Sequence, residues 1–243
     1  MKRFLALALA ALAVGLGAGG AHAQKVASLY MAGLDPRSGN APKQVVILFH
    51  GFSQRGVAMK SVADTLARRL PDAAFIFPDG PISAAPGKSW YVNRGDESGA
   101  SRDAARQLAI DTVKKVSEGL KVPHENIVVV GFSQGGGVAL EAGSCVTPDV
   151  RAIVSIAGVL TKDGCKKEAT GKPADVLIVF NEFDPAVKMP RMKQFQDQAI
   201  QNGYDARLEV FSGTEHWPAP EGIIRTVDYI VDLFGGKPRE HAD

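Results

Sequence analysis

Five short segments of this chain are apolar almost from end to end and rich in β-branched residues: Gln44–His50, Ala73–Phe77, Ile127–Val130, Ala152–Ile156 and Val176–Phe180. A strand with one face in water alternates apolar and polar residues, whereas an unbroken apolar run suits a strand covered on both faces, as in a parallel sheet. The segments between them carry helical spacing. Val57–Leu70 sets Met59, Val62, Ala63, Leu66 and Leu70 on one side and stops at Pro71. Ser101–Leu120 sets Ala105, Ala109, Thr112, Val116 and Leu120 on one face, with Ser101 placed to cap it. Gly137–Gly143, Pro190–Asn202 and Glu221–Phe234 read as further helices, Arg207–Phe211 as a late strand and Val26–Met31 as a short first one. Strands alternating with helices predict an α/β fold, a mostly parallel sheet with helices on both faces, in a single domain.

The N-terminus reads differently. Met1-Lys2-Arg3 precedes an apolar run from Phe4 to Leu16, and small residues lead to Ala21-His22-Ala23 before Gln24. That is the pattern of a cleavable secretory signal, with cleavage expected after Ala23. The apolar run is shorter than the roughly 20 residues of a spanning helix, so no stable membrane insertion is expected after cleavage. The expected products are a signal peptide, 1–23, and a domain over 24–243, located in the periplasm or secreted. The 28 basic residues, less Lys2 and Arg3, equal the 26 acidic ones, so the expected mature chain is formally neutral. It lacks the basic stripe that nucleic acid or an anionic membrane surface calls for. Cys145 and Cys165 are the only cysteines and form no C-x-x-C pattern, which speaks against a zinc or redox motif. In an exported chain they suggest one disulfide, the alternative being two free thiols.

Gly131-Phe132-Ser133-Gln134-Gly135 matches G-x-S-x-G, and it stands between an apolar strand and a helix. A serine on such a turn is lifted above the carboxyl edge of the sheet, at a helix N-terminus whose backbone donors favour developing negative charge. Flanking glycines leave room where a Cβ would clash. The plainer reading is a serine cap in a glycine-rich turn, but the strand and the helix that the nucleophile motif requires are both present. Serine needs a base, and with this elbow the order along the chain is serine, acid, histidine. Of five histidines only His216 follows Ser133 with an acid-bearing loop between them, apart from His241 in the polar tail. Asp184, on the loop after Val176–Phe180, is the expected acid, with Glu182 and Asp163 as alternatives. His50-Gly51-Phe52 follows an early strand, where a backbone oxyanion donor is supplied; the Phe52 and Gln134 amides are assigned to that hole and His50 to organising the loop. Residues 78–100 hold three prolines, four glycines, Trp90 and Tyr91 without a sustained period, and read as a long loop walling the site.

Taken together, His50-Gly51-Phe52, Pro78-Asp79-Gly80-Pro81, Trp90-Tyr91, Gly131-Phe132-Ser133-Gln134-Gly135-Gly136, Asp184-Pro185 and His216 resemble the carboxylesterase/phospholipase branch of the α/β-hydrolases, which includes acyl-protein thioesterases and is related to dienelactone hydrolases. The resemblance covers nearly all of the expected mature chain. It implies an α/β-hydrolase fold, no metal or organic cofactor, and hydrolysis of small-molecule esters or thioesters through an acyl-enzyme, with Phe52 and Trp90 as an apolar acyl-side wall. Two positions depart from the family pattern: Asn181 stands where a glycine is usual, and Pro190 comes late after the acid. The expected activity is that of an exported carboxylesterase. The alternatives are a hydrolase of acetylated or feruloylated glycans and a catalytically silent binding protein of this fold. Oligomeric state is not set by these patterns.

Overall fold

The computed structural model describes residues 31–93, 98–146, 149–158, 165–166 and 174–236. The leader with its cleavage point, the alternative acid Asp163 and all but the last residue of the strand expected at Val26–Met31 lie outside them.

Seven strands form one sheet: β1 (Met31–Leu34), β2 (Gln44–Phe49), β3 (Ala73–Pro78), β6 (Ile127–Phe132), β7 (Ala152–Ile156), β8 (Asp175–Asn181) and β9 (Asp205–Phe211), in the order β1-β3-β2-β6-β7-β8-β9. Only β1 is antiparallel to its neighbour. The apolar runs lie where two-sided burial demands them: Val45–Phe49 and Ile127–Val130 are fully excluded from solvent. The cover comes from α1 (Lys60–Arg69), α2 (Ser98–Leu120), α3 (Gln134–Cys145), α4 (Met189–Gln201) and α5 (Pro220–Leu233). α1 buries Val62, Ala63 and Leu66, and α2 buries Ala105, Ala109, Thr112 and Val116, as their spacing predicts.

Chain order reverses around β2, which pairs with β3 on one side and β6 on the other. In an open parallel sheet such a reversal opens a crevice at the carboxyl ends of the two strands. The ends of β2 and β6 lead directly into His50-Gly51-Phe52 and Ser133.

The first described strand, β1, runs Met31–Leu34 and pairs with β3 at the edge of the sheet. Two sequence expectations shift. The 78–100 segment contains a hairpin, β4 (Ile82–Ala84) and β5 (Gly87–Ser89), whose three-residue strands are too short to show a period. α2 begins at Ser98, and the Ser101 hydroxyl accepts a hydrogen bond at 2.8 Å from the Val92 amide instead of capping the helix.

Cys145, the last residue of α3, is bonded to Cys165. Tyr204 reinforces this corner, its hydroxyl lying 3.0 Å from the Ser144 carbonyl and 3.2 Å from that of Cys165. Closing a loop with a sequence separation of 20 stabilises by roughly 3 kcal/mol on the chain-entropy view.

His50 braces the carboxyl edge. Its Nδ1–H donates to the Gly51 carbonyl at 2.6 Å, which leaves Nε2 to accept the Gly80 amide at 2.9 Å. A second proton would set N–H against N–H in a place sealed from water. Burial lowers the His50 pKa below its ordinary 6.5, against smaller opposing effects from the Gly51 hydrogen bond and the Asp79 charge. The folded state then binds fewer protons than the unfolded chain, so the contribution of neutral His50 is complete above 6.5 and is lost as pH falls below it. Urea unfolding between about pH 5 and about pH 8 should show stability falling on acidification, and the fall should be shallower in His50→Asn. Equal slopes in the two proteins would show that His50 does not carry this dependence.

Candidate active site

Ser133 sits between β6 and α3 with φ 53° and ψ −117°. A positive φ on a residue with a Cβ is strained and costs on the order of 1–3 kcal/mol. Its surroundings hold it there. The Ser133 amide donates to the Ile156 carbonyl at the end of β7, at 2.9 Å, and the Gly136 amide closes back on the Ser133 carbonyl at 2.9 Å. The glycines of the elbow are sterically required: a Cβ on Gly131 would overlap the Gly135 carbonyl, and one on Gly135 would overlap the backbone of Phe49 and His50.

The residues singled out by their order along the chain meet. The Ser133 hydroxyl lies 2.8 Å from His216 Nε2, and His216 Nδ1 lies 2.7 Å from Asp184 Oδ2. Asp184 is buried, and its other oxygen accepts the Ala186 and Val187 amides at 2.7 and 2.9 Å, so the carboxylate is fully engaged. Glu182 is exposed and its amide pairs with the Phe211 carbonyl, leaving Asp184 as the carboxylate on the imidazole. The His216 ring packs against Phe132, 4.9 Å between centroids, and Trp217 meets the same ring at 4.7 Å.

Asn181, the departure from the family pattern, has a specific task. Its Nδ2 donates to the Glu215 and Trp217 carbonyls at 2.8 and 2.9 Å, and its Oδ1 accepts the Ala219 amide at 3.0 Å. One side chain, 2% exposed, thus holds the backbone on both sides of His216. Sequence reasoning registered Asn181 as an anomaly and missed this role, because its partners lie 34 to 38 residues away.

Gln134 was assigned for its amide, and its side chain does more. Oε1 accepts the Trp90 amide at 2.8 Å and the Ser89 hydroxyl at 3.1 Å, while Nε2 donates to the Tyr91 carbonyl and to Asn93 Oδ1, both at 3.1 Å. The 89–93 segment is tied to the elbow through this one amide group. Neither the Phe52 nor the Gln134 backbone amide donates to an acceptor in the hydrogen-bond network of the described residues.

Trp90 is not where the sequence reading put it. It is 0% exposed, donates from Nε1 to the His50 carbonyl at 2.8 Å and packs on Phe49 and the His50 ring, so it is a strut beneath the loop and not an acyl-side wall. An indole with a polar handle is well suited to that buried position. Phe52, 51% exposed, does rim the site. Two clefts open from Ser133 and His216 on either side of it. One, about 620 Å³, is lined by Ala58, Phe132 and Trp217; the other, about 490 Å³, by Tyr91, Asn93, Arg102 and Arg191.

Comparison with known proteins bears on the family and the fold. The profile of the phospholipase/carboxylesterase family matches residues 37–231. The acyl-protein thioesterase 1 of Mycosarcoma maydis is 27% identical over 218 residues, covering 78% of this chain and 91% of that protein. The esterase YpfH of Escherichia coli K12 is 24% identical over 211 residues, covering 81% and 90%. Among solved structures, esterase PE8 superposes with a TM-score of 0.76 at 22% identity, over 85% of this chain and 100% of that one. The Bacillus cereus carboxylesterase gives 0.72 at 13% identity, over 87% and 97%. The structural likenesses establish the shared fold, and the family profile, spanning most of the chain, establishes descent: the protein belongs to the phospholipase/carboxylesterase family of α/β-hydrolases and is a serine hydrolase of the carboxylesterase type.

Proposed function

We propose that the protein hydrolyses carboxylic esters, and thioesters of similar size, with Ser133 as nucleophile, His216 as base and Asp184 as the acid that orients it. The observation that carries this reading is the unbroken chain from the Ser133 hydroxyl through His216 to Asp184, with contacts of 2.8 and 2.7 Å. A carboxylate can only accept, so His216 Nδ1 keeps its proton towards Asp184 and Nε2 is left free to take one from Ser133. As that proton moves, Oγ bonds to the substrate carbonyl carbon and the carbonyl oxygen becomes an oxyanion held by the Phe52 and Gln134 amides. Each such donor is typically worth about 3 kcal/mol in the transition state. Collapse breaks the bond to the alcohol or thiol, which leaves with the proton from His216. Water, deprotonated by the same imidazole, then attacks the acyl-enzyme and releases the acid.

On this reading Ser133→Ala should lower kcat about a thousandfold or more, and Asp184→Asn, which favours the wrong imidazole tautomer, by on the order of 10⁴. The measurement is turnover of para-nitrophenyl esters together with labelling by a fluorophosphonate probe. Labelling that persists in Ser133→Ala would remove Ser133 from the role. Turnover of acetylated or feruloylated glycans in preference to the soluble esters would assign the polymer substrate instead.

Asn181 acts through His216 by fixing the loop that carries it. Losing three hydrogen bonds lets the imidazole drift, and a shift of about 1 Å can cost up to about 100-fold in rate. Asn181→Ala should therefore reduce kcat about tenfold or more with KM little changed, while slowing fluorophosphonate labelling of Ser133 in the folded protein. Unaltered kcat would mean that the loop holds itself.

We place the protein in the periplasm or the medium. The leader pattern over 1–23 and the Cys145–Cys165 bond, a feature of oxidising compartments, support this. N-terminal sequencing of protein from the periplasmic or culture fraction should read from Gln24; an intact Met1 terminus in a cytosolic fraction would reject it.

A further inference from the structure

The two clefts beside Ser133 differ in charge. The larger is lined by Phe52, Ala58, Phe132 and Trp217 with the polar Gln54 and Ser61, and no lysine, arginine or carboxylate is among the described residues that line it. The smaller receives two guanidinium groups, Arg102 from the first turns of α2 and Arg191 from the start of α4, and no carboxylate is among the described residues that line it. Four arginines elsewhere are ion-paired: Arg55 with Asp79, Arg69 with Asp228, Arg106 with Glu141 and Arg225 with Glu209. Arg102 and Arg191 form no ion pair among the described residues. Arg102 instead lies with Cζ 5.3 Å over the Tyr91 ring, and its Nε is buried without a hydrogen-bond partner. Burial raises the Tyr91 pKa, Arg102 and Arg191 oppose that rise and Glu141 adds to it, so both guanidinium charges reach this wall of the cleft, as does that of Glu141, which is paired with Arg106.

Two guanidinium groups from separate helices line one cleft beside the nucleophile, and the Arg102 Nε, buried without a partner, carries a cost that an acceptor in the cleft would relieve. A guanidinium presents a planar fork that fits a carboxylate or a phosphate through paired hydrogen bonds. We infer that the cleft between α2 and α4 is a subsite for an oxyanion, carboxylate or phosphate, carried on one arm of the scissile ester, so that the enzyme selects esters bearing a negative charge near the reacting carbonyl. The inference rests on Ser133 being the nucleophile. It also divides the substrate: the charged arm lies towards Arg102 and Arg191, and the apolar arm lies towards Phe132 and Trp217.

The test compares charged esters with neutral isosteres. Para-nitrophenyl hemiglutarate against para-nitrophenyl pentanoate places the charge on the acyl arm. Para-acetoxybenzoate against its methyl ester places it on the alcohol arm, and para-acetoxyphenyl phosphate separates phosphate from carboxylate. At least one charged member should be preferred by about tenfold or more in kcat/KM, with the preference falling as salt rises, because screening weakens partly exposed charges. Arg102→Gln and Arg191→Gln should each erode that ratio several-fold, and Arg102→Lys should restore part of it. Arg191 is exposed, so its variant carries the test if Arg102→Gln does not fold. A ratio near one in every pair, or one that survives both substitutions, with neutral esters still hydrolysed, overturns the subsite and leaves the nucleophile standing. No turnover of any ester and no fluorophosphonate labelling of Ser133 overturns both.

Discussion

The backbone at Ser133 is the constraint on which the rest of this structure depends. A φ of 53° at a residue with a Cβ is a local defect, and it persists only because the surroundings leave no relaxed alternative. β6 delivers the chain from the centre of the sheet and α3 carries it away, so close to β6 at Gly131 and to the end of β2 at Gly135 that a methyl group at either would overlap backbone. α3 itself is buried from Gln134 to Ser144, so loosening the elbow would expose a whole apolar helix. Strain of about 1–3 kcal/mol is small beside that burial. The outcome is a hydroxyl held at the carboxyl edge of the sheet with no room to retreat.

The rest of the machinery is attached to this point by buried polar side chains rather than by continuous secondary structure. Loops are the natural place for catalytic groups, but they lack the hydrogen-bond ladders that fix strands. Here the ladders are replaced piece by piece. His50 joins the end of β2 to Gly80, Asp79 accepts the Gly56 amide at 2.7 Å, Gln134 gathers residues 89–93, and Asn181 grips the His216 loop. Each of these groups is satisfied in the interior, which is where a half-satisfied polar network would be most costly. The site is therefore rigid at several separate points, each traceable to one side chain.

This division explains what could be read in the sequence. β2, β6, β7 and β8 were legible because burial on both faces leaves no option but apolar residues, and a run of five or six such residues is a strong signal. The order of Ser133, Asp184 and His216 was legible because the elbow has a local pattern, only two histidines follow it, and Asp184 stands on the loop after an apolar strand. The roles of Gln134 and Asn181 were not, because a buried amide and an exposed one have the same letter and their partners are distant in the chain. Trp90 misled for the opposite reason: an aromatic residue in a long loop looks like a substrate wall, and only the fold shows that β2 ends beside it and takes its indole N–H. The hairpin of β4 and β5 escaped notice because three-residue strands carry no periodicity.

On the proposed reading, the two clefts separate chemistry from selectivity. Ser133, Asp184 and His216 hang from β6, β8 and the loop before α5, elements locked to one another through the sheet. Arg102 and Arg191 belong to α2 and α4, which cover the sheet from outside and meet the reaction centre only at its margin. Their link to the elbow is indirect, through the Tyr91 ring under Arg102 and the hold of Gln134 on the Tyr91 carbonyl. Side chains at these two helix starts can change in charge or length without altering the backbone strain at Ser133 or the grip on His216. The hydrolytic centre is thus fixed by the sheet and the elbow, while the charge at the α2 and α4 margins is set by side chains outside both.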